Sequence, residues 1–120
     1  MKAYKEICYE KKIYSWSVVG AGPAGIAAVG LLLDHGINED EILWIDPCFN
    51  VGDLGAHWSD VSSNTTVKLF NEFLQNIKSF EYETNNNSYD LSSLAPTDTC
   101  ALHYVVEPLK WVTTEVIKIE

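Results

Sequence analysis

Arginine is absent: all eight basic residues are lysines, set against 17 Asp and Glu in 120 residues, for a formal net charge of −9. Without a guanidinium fork or a lysine cluster, no surface is built to track a nucleic-acid backbone or an anionic membrane. Cysteine is scarce and scattered. Cys8, Cys48 and Cys100 form no CxxC and no Cys/His pair at metal-ligand spacing, which argues against a zinc site and against a disulfide framework. Long apolar runs are missing too. Nothing reaches the roughly 18 consecutive apolar residues of a membrane span, and Met1 to Lys12 holds no apolar core of the secretory type. These absences lead to the expectation of a reduced, cytoplasmic chain with no nucleic-acid, membrane or metal partner. At this length one domain, 1–120, is expected, with no internal repeat.

What is present is ordered along the chain. Residues 1–12 read as a polar arm. Ile13-Tyr14-Ser15-Trp16-Ser17-Val18-Val19 is β-branched and aromatic, a strand expected to be buried on at least one face. Pro23 to His35 has helical apolar content, with Pro23 suited to the first helical position and Gly36 to the C-terminal cap. Glu41-Ile42-Leu43-Trp44-Ile45-Asp46 is a second strand, stopped by Pro47. Strand, helix and strand in this order form a βαβ crossover with a parallel pair. Residues 49–64 read as an ordered loop, and Lys68 to Ile77 as a helix. Residues 84–100 form a patternless stretch that is functional or mobile. Glu107 to Ile117 reads as a helix opened by Pro108, though its β-branched content leaves a strand open. Trp44 and Trp111, among apolar neighbours, are expected in the core.

Between the first strand and the helix lies Gly20-Ala21-Gly22-Pro23-Ala24-Gly25. A GxGxxG alone is weak. Here a strand precedes it, a helix follows, a second strand comes next, and that strand ends in an acid. Gly20 permits the tight turn, Gly22 leaves the helix N-terminus open to a pyrophosphate, and Gly25 lets the helix lie close to the sheet. The helix dipole favours phosphate there. Asp46, 21 residues after Gly25, is placed to accept hydrogen bonds from the adenosine ribose, which favours FAD or NAD over NADP. An Asp before Pro also starts loops for purely local reasons. Gly30 in mid-helix is either close packing or a cost of about 1 kcal/mol. The expected fold class is α/β, a Rossmann-like βαβ dinucleotide-binding domain with a parallel sheet, incomplete at this length.

With Gly20 to Gly25 and Asp46 in place, Val51-Gly52-Asp53-Leu54-Gly55-Ala56-His57-Trp58 and Ser62-Ser63-Asn64-Thr65-Thr66-Val67-Lys68 carry a resemblance. Over residues 13–75 the chain resembles the FAD-binding N-terminus of flavin-containing monooxygenases, with their Baeyer–Villiger and N-hydroxylating relatives. Gly55-Ala56-His57-Trp58 stands where the family has Gly-Gly-x-Trp, with alanine for the second glycine. Ser62 to Lys68 is similar to the family's Asn-Thr step. The resemblance implies that Gly20, Gly22, Pro23, Ala24, Gly25, Asp46 and Pro47 hold the adenine end of FAD. It implies that Gly55 and Trp58 line the cofactor further along, and that Asn64 and Thr65 approach the flavin ring. NAD(P)H would be the co-substrate of the full-length protein. A loop Asn making a turn remains an equal reading of Asn64, and Trp58 reads equally as core. His57 reads as packing or surface rather than as a general acid or base.

The departures from that family are clear. No second glycine motif for NADPH occurs, and Gly52-Asp53 falls too early to be the family's later Gly-Asp pair. A third parallel strand should follow beyond Glu120. The expectation is therefore the FAD-binding part of a flavin-dependent, monooxygenase-like oxidoreductase, inactive as 120 residues and completed by a longer chain or a homo-oligomer. Its small-molecule substrate is not readable. The alternative is a non-catalytic module that binds NAD or ADP-ribose, or that docks on a protein.

Overall fold

A computed structural model describes residues 3–4, 13–82 and 90–117. The elements are β1 (Ala3–Tyr4), β2 (Trp16–Val19), α1 (Pro23–Asp34), β3 (Ile42–Ile45), α2 (Gly52–Ala56), β4 (Ser62–Thr66), α3 (Val67–Asn76), β5 (Thr99–Ala101) and α4 (His103–Trp111). Short 3-10 turns cover Glu39–Glu41, Lys78–Phe80 and Asp90–Ser93, and a π-helical turn, Val112–Val116, extends α4. The architecture is mixed α/β with a small parallel sheet. No helix among the described residues is long and apolar enough to cross a membrane.

β2 pairs parallel with β3, Trp16 to Ile42 through Val19 to Ile45, and α1 carries the chain between them. α1 starts on Pro23, which has no N–H to leave unpaired. It ends as the sequence leads one to expect. Gly36 takes φ 83°, its N–H donates to Leu33 O at 3.0 Å, and the Ile37 N–H donates to Leu32 O at 3.1 Å. That pair of bonds is a Schellman closure, and glycine supplies the left-handed residue it requires.

Core and edge divide differently from the sequence reading. Ile42 and Trp44 of β3 are buried, with Ile26 and Val29 of α1 packed in the same core. The first strand was expected to be buried on at least one face, and of its paired residues only Val18 is half-buried against the core. Only Trp16 to Val19 pair, Trp16 is 47% exposed and Val19 80% exposed, and Ile13 stands almost free in solvent. The sheet order β1-β3-β2 explains this. β2 is an edge strand, so apolar composition alone did not guarantee neighbours. Trp16 and Val18 line an open apolar hollow with Ala28, Leu31, Leu32 and Ile37. The other edge belongs to β1, where Ala3 and Tyr4 pair parallel with Trp44 and Ile45. Part of the expected polar arm is therefore strand, and the rest of residues 1–12 lies outside the described residues.

The second half holds more structure than its sequence promised. The expected loop 49–64 contains α2 and the start of β4. Within 84–100, residues 84–89 lie outside the described residues, but Thr99–Ala101 forms β5 and pairs antiparallel with β4. β4, built of Ser, Asn and Thr, lacks the apolar alternation by which strands are read, and the three-residue β5 is too short to show one, which is why both were missed. α3 is close to its expected span, and Thr66 caps it by accepting the Leu69 N–H. α4 begins at His103, before the expected Pro108, which sits inside the helix at the loss of one backbone bond. Its β-branched end stays helical. Thr113 and Thr114 donate their hydroxyls to the carbonyls of Leu109 and Lys110, and the turn widens until Ile117 N–H reaches Val112 O at 2.9 Å. Trp111 packs partly buried against the core rather than within it.

α1 lies on the 77–80 segment through Gly30, where a Cβ would come within 2.6 Å of Ile77 Cγ2 and 2.7 Å of Phe80 Cε1. Close packing is the reason for this mid-helix glycine. Asp34, at the end of α1, pins the same segment by accepting the N–H groups of Lys78 and Ser79 at 2.9 and 2.7 Å, and the Ser79 hydroxyl. Burial pushes its carboxyl up, but the Ser79 and Lys78 hydrogen bonds outweigh this and hold it below the usual range.

Candidate nucleotide site at the glycine turn

The glycine turn sits where β2 ends and α1 begins, and Gly20 and Ala21 are fixed from the β3 side. Gly20, at φ 103°, donates its N–H to Ile45 O at 2.7 Å and accepts the Trp44 indole N–H on its carbonyl at 2.8 Å. Ala21 is buried and donates its N–H to Asp46 Oδ1 at 2.9 Å. Gly22 faces the backbone of Gly52, whose own Cβ, if present, would come within 3.0 Å of Gly22 Cα.

Gly25 has a defined task. A Cβ there would lie 2.1 Å from Gly20 O, so the first turn of α1 rests directly on the turn that precedes it. Gly22 is the N-cap of α1 at φ −76°, with no side-chain cap, and the first turn carries no acid. Pro23 has no N–H to offer, and exposed Ala24 follows. The start of this 12-residue helix thus has no side-chain cap and no acid in its own first turn. A Cβ on Gly20 would meet nothing within 4 Å, and one on Gly22 only Gly52 Cα at 3.9 Å. The cradle is open, and its donor set suits a pyrophosphate.

Asp46 directly follows β3 and is 8% exposed. Its Oδ1 accepts from Ala21, and its Oδ2 accepts from the N–H groups of Cys48 and Phe49 at 2.9 and 2.7 Å. Burial alone would raise its carboxyl. The Cys48, Phe49 and Ala21 amides overcome that, so it stays ionised below the usual carboxylate range. Pro47 is exposed in the turn that follows. That turn is strained: Phe49 and Val51 are left-handed at φ 52° and 57°, directly before Gly52 at φ 59°. For a β-branched residue such as Val51 this conformation is an outlier, with a cost of about 1–3 kcal/mol. Burial of Val51 and the edge-on packing of Phe49 against Trp44, at 5.3 Å between ring centroids, hold it there.

The expected residues therefore separate into two groups. Gly20, Gly22, Pro23, Ala24, Gly25, Asp46 and Pro47 gather at one place. Gly55 lies in α2, and a Cβ there would sit 1.9 Å from Asn50 O, so this glycine is required by the packing of its own loop. Trp58 is 52% exposed, which removes the core reading, and His57 beside it is exposed as well. Asn64 and Thr65 belong to β4, on the separate two-stranded sheet. There Ser62 pairs with Ala101 and Thr66 with Thr99, so residues 63–65 oppose Cys100 alone and bulge. Asn64 is exposed in that bulge, and the Thr65 N–H donates to Ser63 Oγ at 2.7 Å.

Trp44 and Gly52 are the contributors that sequence reasoning missed at this site. Trp44 is in the core as expected, yet its indole also ties down Gly20. Its position two residues before Asp46, on the same face of the strand, was the available signal.

No family model matches the chain, and no solved structure matches it. A relative named "Monooxygenase AgnR1", from Paecilomyces divaricatus, is 34% identical over 106 residues. The match covers 84% of this chain and 27% of that protein, so the chain spans about a quarter of the length of the curated relative it matches.

Proposed function

We propose that this chain is a Rossmann-like dinucleotide-binding unit that holds the ADP half of FAD in a flavin-dependent oxidoreductase of the monooxygenase kind. The observation that carries the reading is the bare start of α1. In a chain of net charge −9, its first turn holds no acid, its N-cap is a glycine without a side-chain cap, and a Cβ on that glycine would meet only the backbone of Gly52. The monooxygenase name of the 34% identical relative supports the chemical class.

In this reading the first-turn amides of α1 take the pyrophosphate, Gly22 gives it room, and Asp46 faces the adenosine ribose. Gly55, Trp58, Asn64 and Thr65 would meet the cofactor farther from the adenine. Bound flavin supplies electron transfer and reaction with dioxygen, while the protein supplies binding and orientation. A nicotinamide donor and a small-molecule substrate would be handled by parts of a longer chain.

The test is reconstitution. The purified chain is mixed with excess FAD, desalted and inspected for a co-eluting yellow chromophore, and its thermal midpoint is compared with FAD, NAD and ADP. FAD is expected to remain bound and to raise the midpoint most. A colourless protein whose midpoint none of the three moves sinks the reading.

A further inference from the structure

The Asp46 carboxylate is already engaged before any nucleotide arrives. It accepts three backbone N–H groups, one from the glycine turn (Ala21, 2.9 Å) and two from the strained turn after β3 (Cys48, 2.9 Å; Phe49, 2.7 Å). A carboxylate offers about four acceptor positions. Three are taken, so a two-handed grip on a ribose diol is not available to it in this geometry.

The same group joins two segments far apart in sequence. Ala21 lies in the turn whose shape determines where the first-turn amides of α1 point. Phe49 is left-handed and stacks edge-on with Trp44, which itself donates to Gly20. Gly52, three residues beyond Phe49, faces Gly22. Asp46 thus bonds both halves of the cradle.

We propose that Asp46 is a positioning residue, which presets the glycine turn against the 48–52 turn and retains room for a single ribose hydroxyl. This rests on the nucleotide reading above only for its ribose half. The latch itself makes a claim about the free protein.

Two measurements test it. In the free chain, amide hydrogen exchange of Asp46→Asn is compared with the parent. The carboxamide presents an NH2 where one carboxylate oxygen stood, so at least one of its two amide sets loses its acceptor. Ala21, or Cys48 and Phe49, should then exchange faster, with Ile26 and Val29 in α1 unchanged. If all three amides keep their protection, the latch is refuted without reference to any nucleotide. Global loss of protection would mean the variant does not fold. The parent alone then decides: its Ala21, Cys48 and Phe49 amide proton shifts must titrate together at acid pH, and independent titrations refute the latch.

The second measurement titrates the parent with ADP, 2′-deoxy-ADP, 3′-deoxy-ADP and 2′,3′-dideoxy-ADP. One monodeoxy analogue should match ADP within about twofold, and the other should bind about tenfold more weakly, the loss of one charge-assisted hydrogen bond. Asp46→Asn should weaken the dideoxy analogue too, through the turn, and weaken ADP further through the lost charge on its one ribose bond. Weakening by both monodeoxy changes, with the dideoxy analogue indifferent to Asp46→Asn, would instead establish a two-handed ribose clamp and overturn the proposal. No binding of any of the four by the parent would refute the nucleotide reading and the ribose half with it, while the exchange result still judges the latch.

Discussion

Alanine in place of Gly25 puts a Cβ 2.1 Å from the Gly20 carbonyl oxygen and 2.8 Å from its carbon. Both obstacles are backbone, so no side chain can rotate away. Either α1 lifts off the turn or the turn deforms, and Gly20 is held by Ile45 and Trp44. Overpacking of a tight site costs about 1–3 kcal/mol, and this contact belongs at the upper end. Against it stand alanine's better helix propensity and its smaller unfolded-state entropy, about 1 kcal/mol together at a helix start. The net expectation is destabilisation by about 2 kcal/mol, or roughly 8 °C in thermal midpoint at this chain length. The matched perturbation is Gly22→Ala. There the new Cβ finds only Gly52 Cα at 3.9 Å, and φ is −76°. Alanine is a poorer N-cap than glycine but entropically cheaper to order, so stability should stay within about 0.5 kcal/mol. The methyl group would instead intrude on the cradle and abolish retention of FAD. Urea unfolding of both variants, beside the FAD retention assay, checks the pair. A Gly25→Ala variant as stable as the parent refutes the close-packing argument, and undiminished FAD retention by Gly22→Ala refutes the cradle.

Other expectations follow from the same contacts. Asp46 and Asp34 both have carboxyls held below the ordinary value of 3.8. Each therefore contributes stability that is complete above about pH 5 and falls away as pH drops through the folded pKa; urea midpoints between pH 6 and pH 3 should fall, less steeply for Asp46→Asn, and a flat profile refutes the assignment. Phe80→Ala empties a fully buried site against α1 and should cost about 3–5 kcal/mol by urea unfolding. Trp44→Phe keeps an aromatic ring but removes the donor to Gly20 O, leaving a carbonyl without its partner. A loss of about 1–2 kcal/mol is expected, with faster exchange at the Gly20 amide.

The strand-helix-strand order, the caps of α1 at Pro23 and Gly36, and the glycine turn with Asp46 behind it were all legible in the sequence. Each rests on local chemistry: a fixed φ, a missing Cβ, a helical period. Which strand would be an edge was not legible. Trp16 and Val19 are as apolar as Ile42 and Trp44, and only the order β1-β3-β2 leaves the first pair exposed and buries the second. The polar strand β4 and the three-residue β5 escaped for the converse reason, since each is defined by its partner and not by its own pattern. Tertiary structure also decided the work of single residues. Gly30 answers to the Ile77 and Phe80 side chains brought over from elsewhere. Asp46, expected as a ribose acceptor, proved to be bonded to amides 25, 2 and 3 residues away. A sequence shows a carboxylate at the end of a strand, but only the folded chain shows how many of its acceptor positions are already filled.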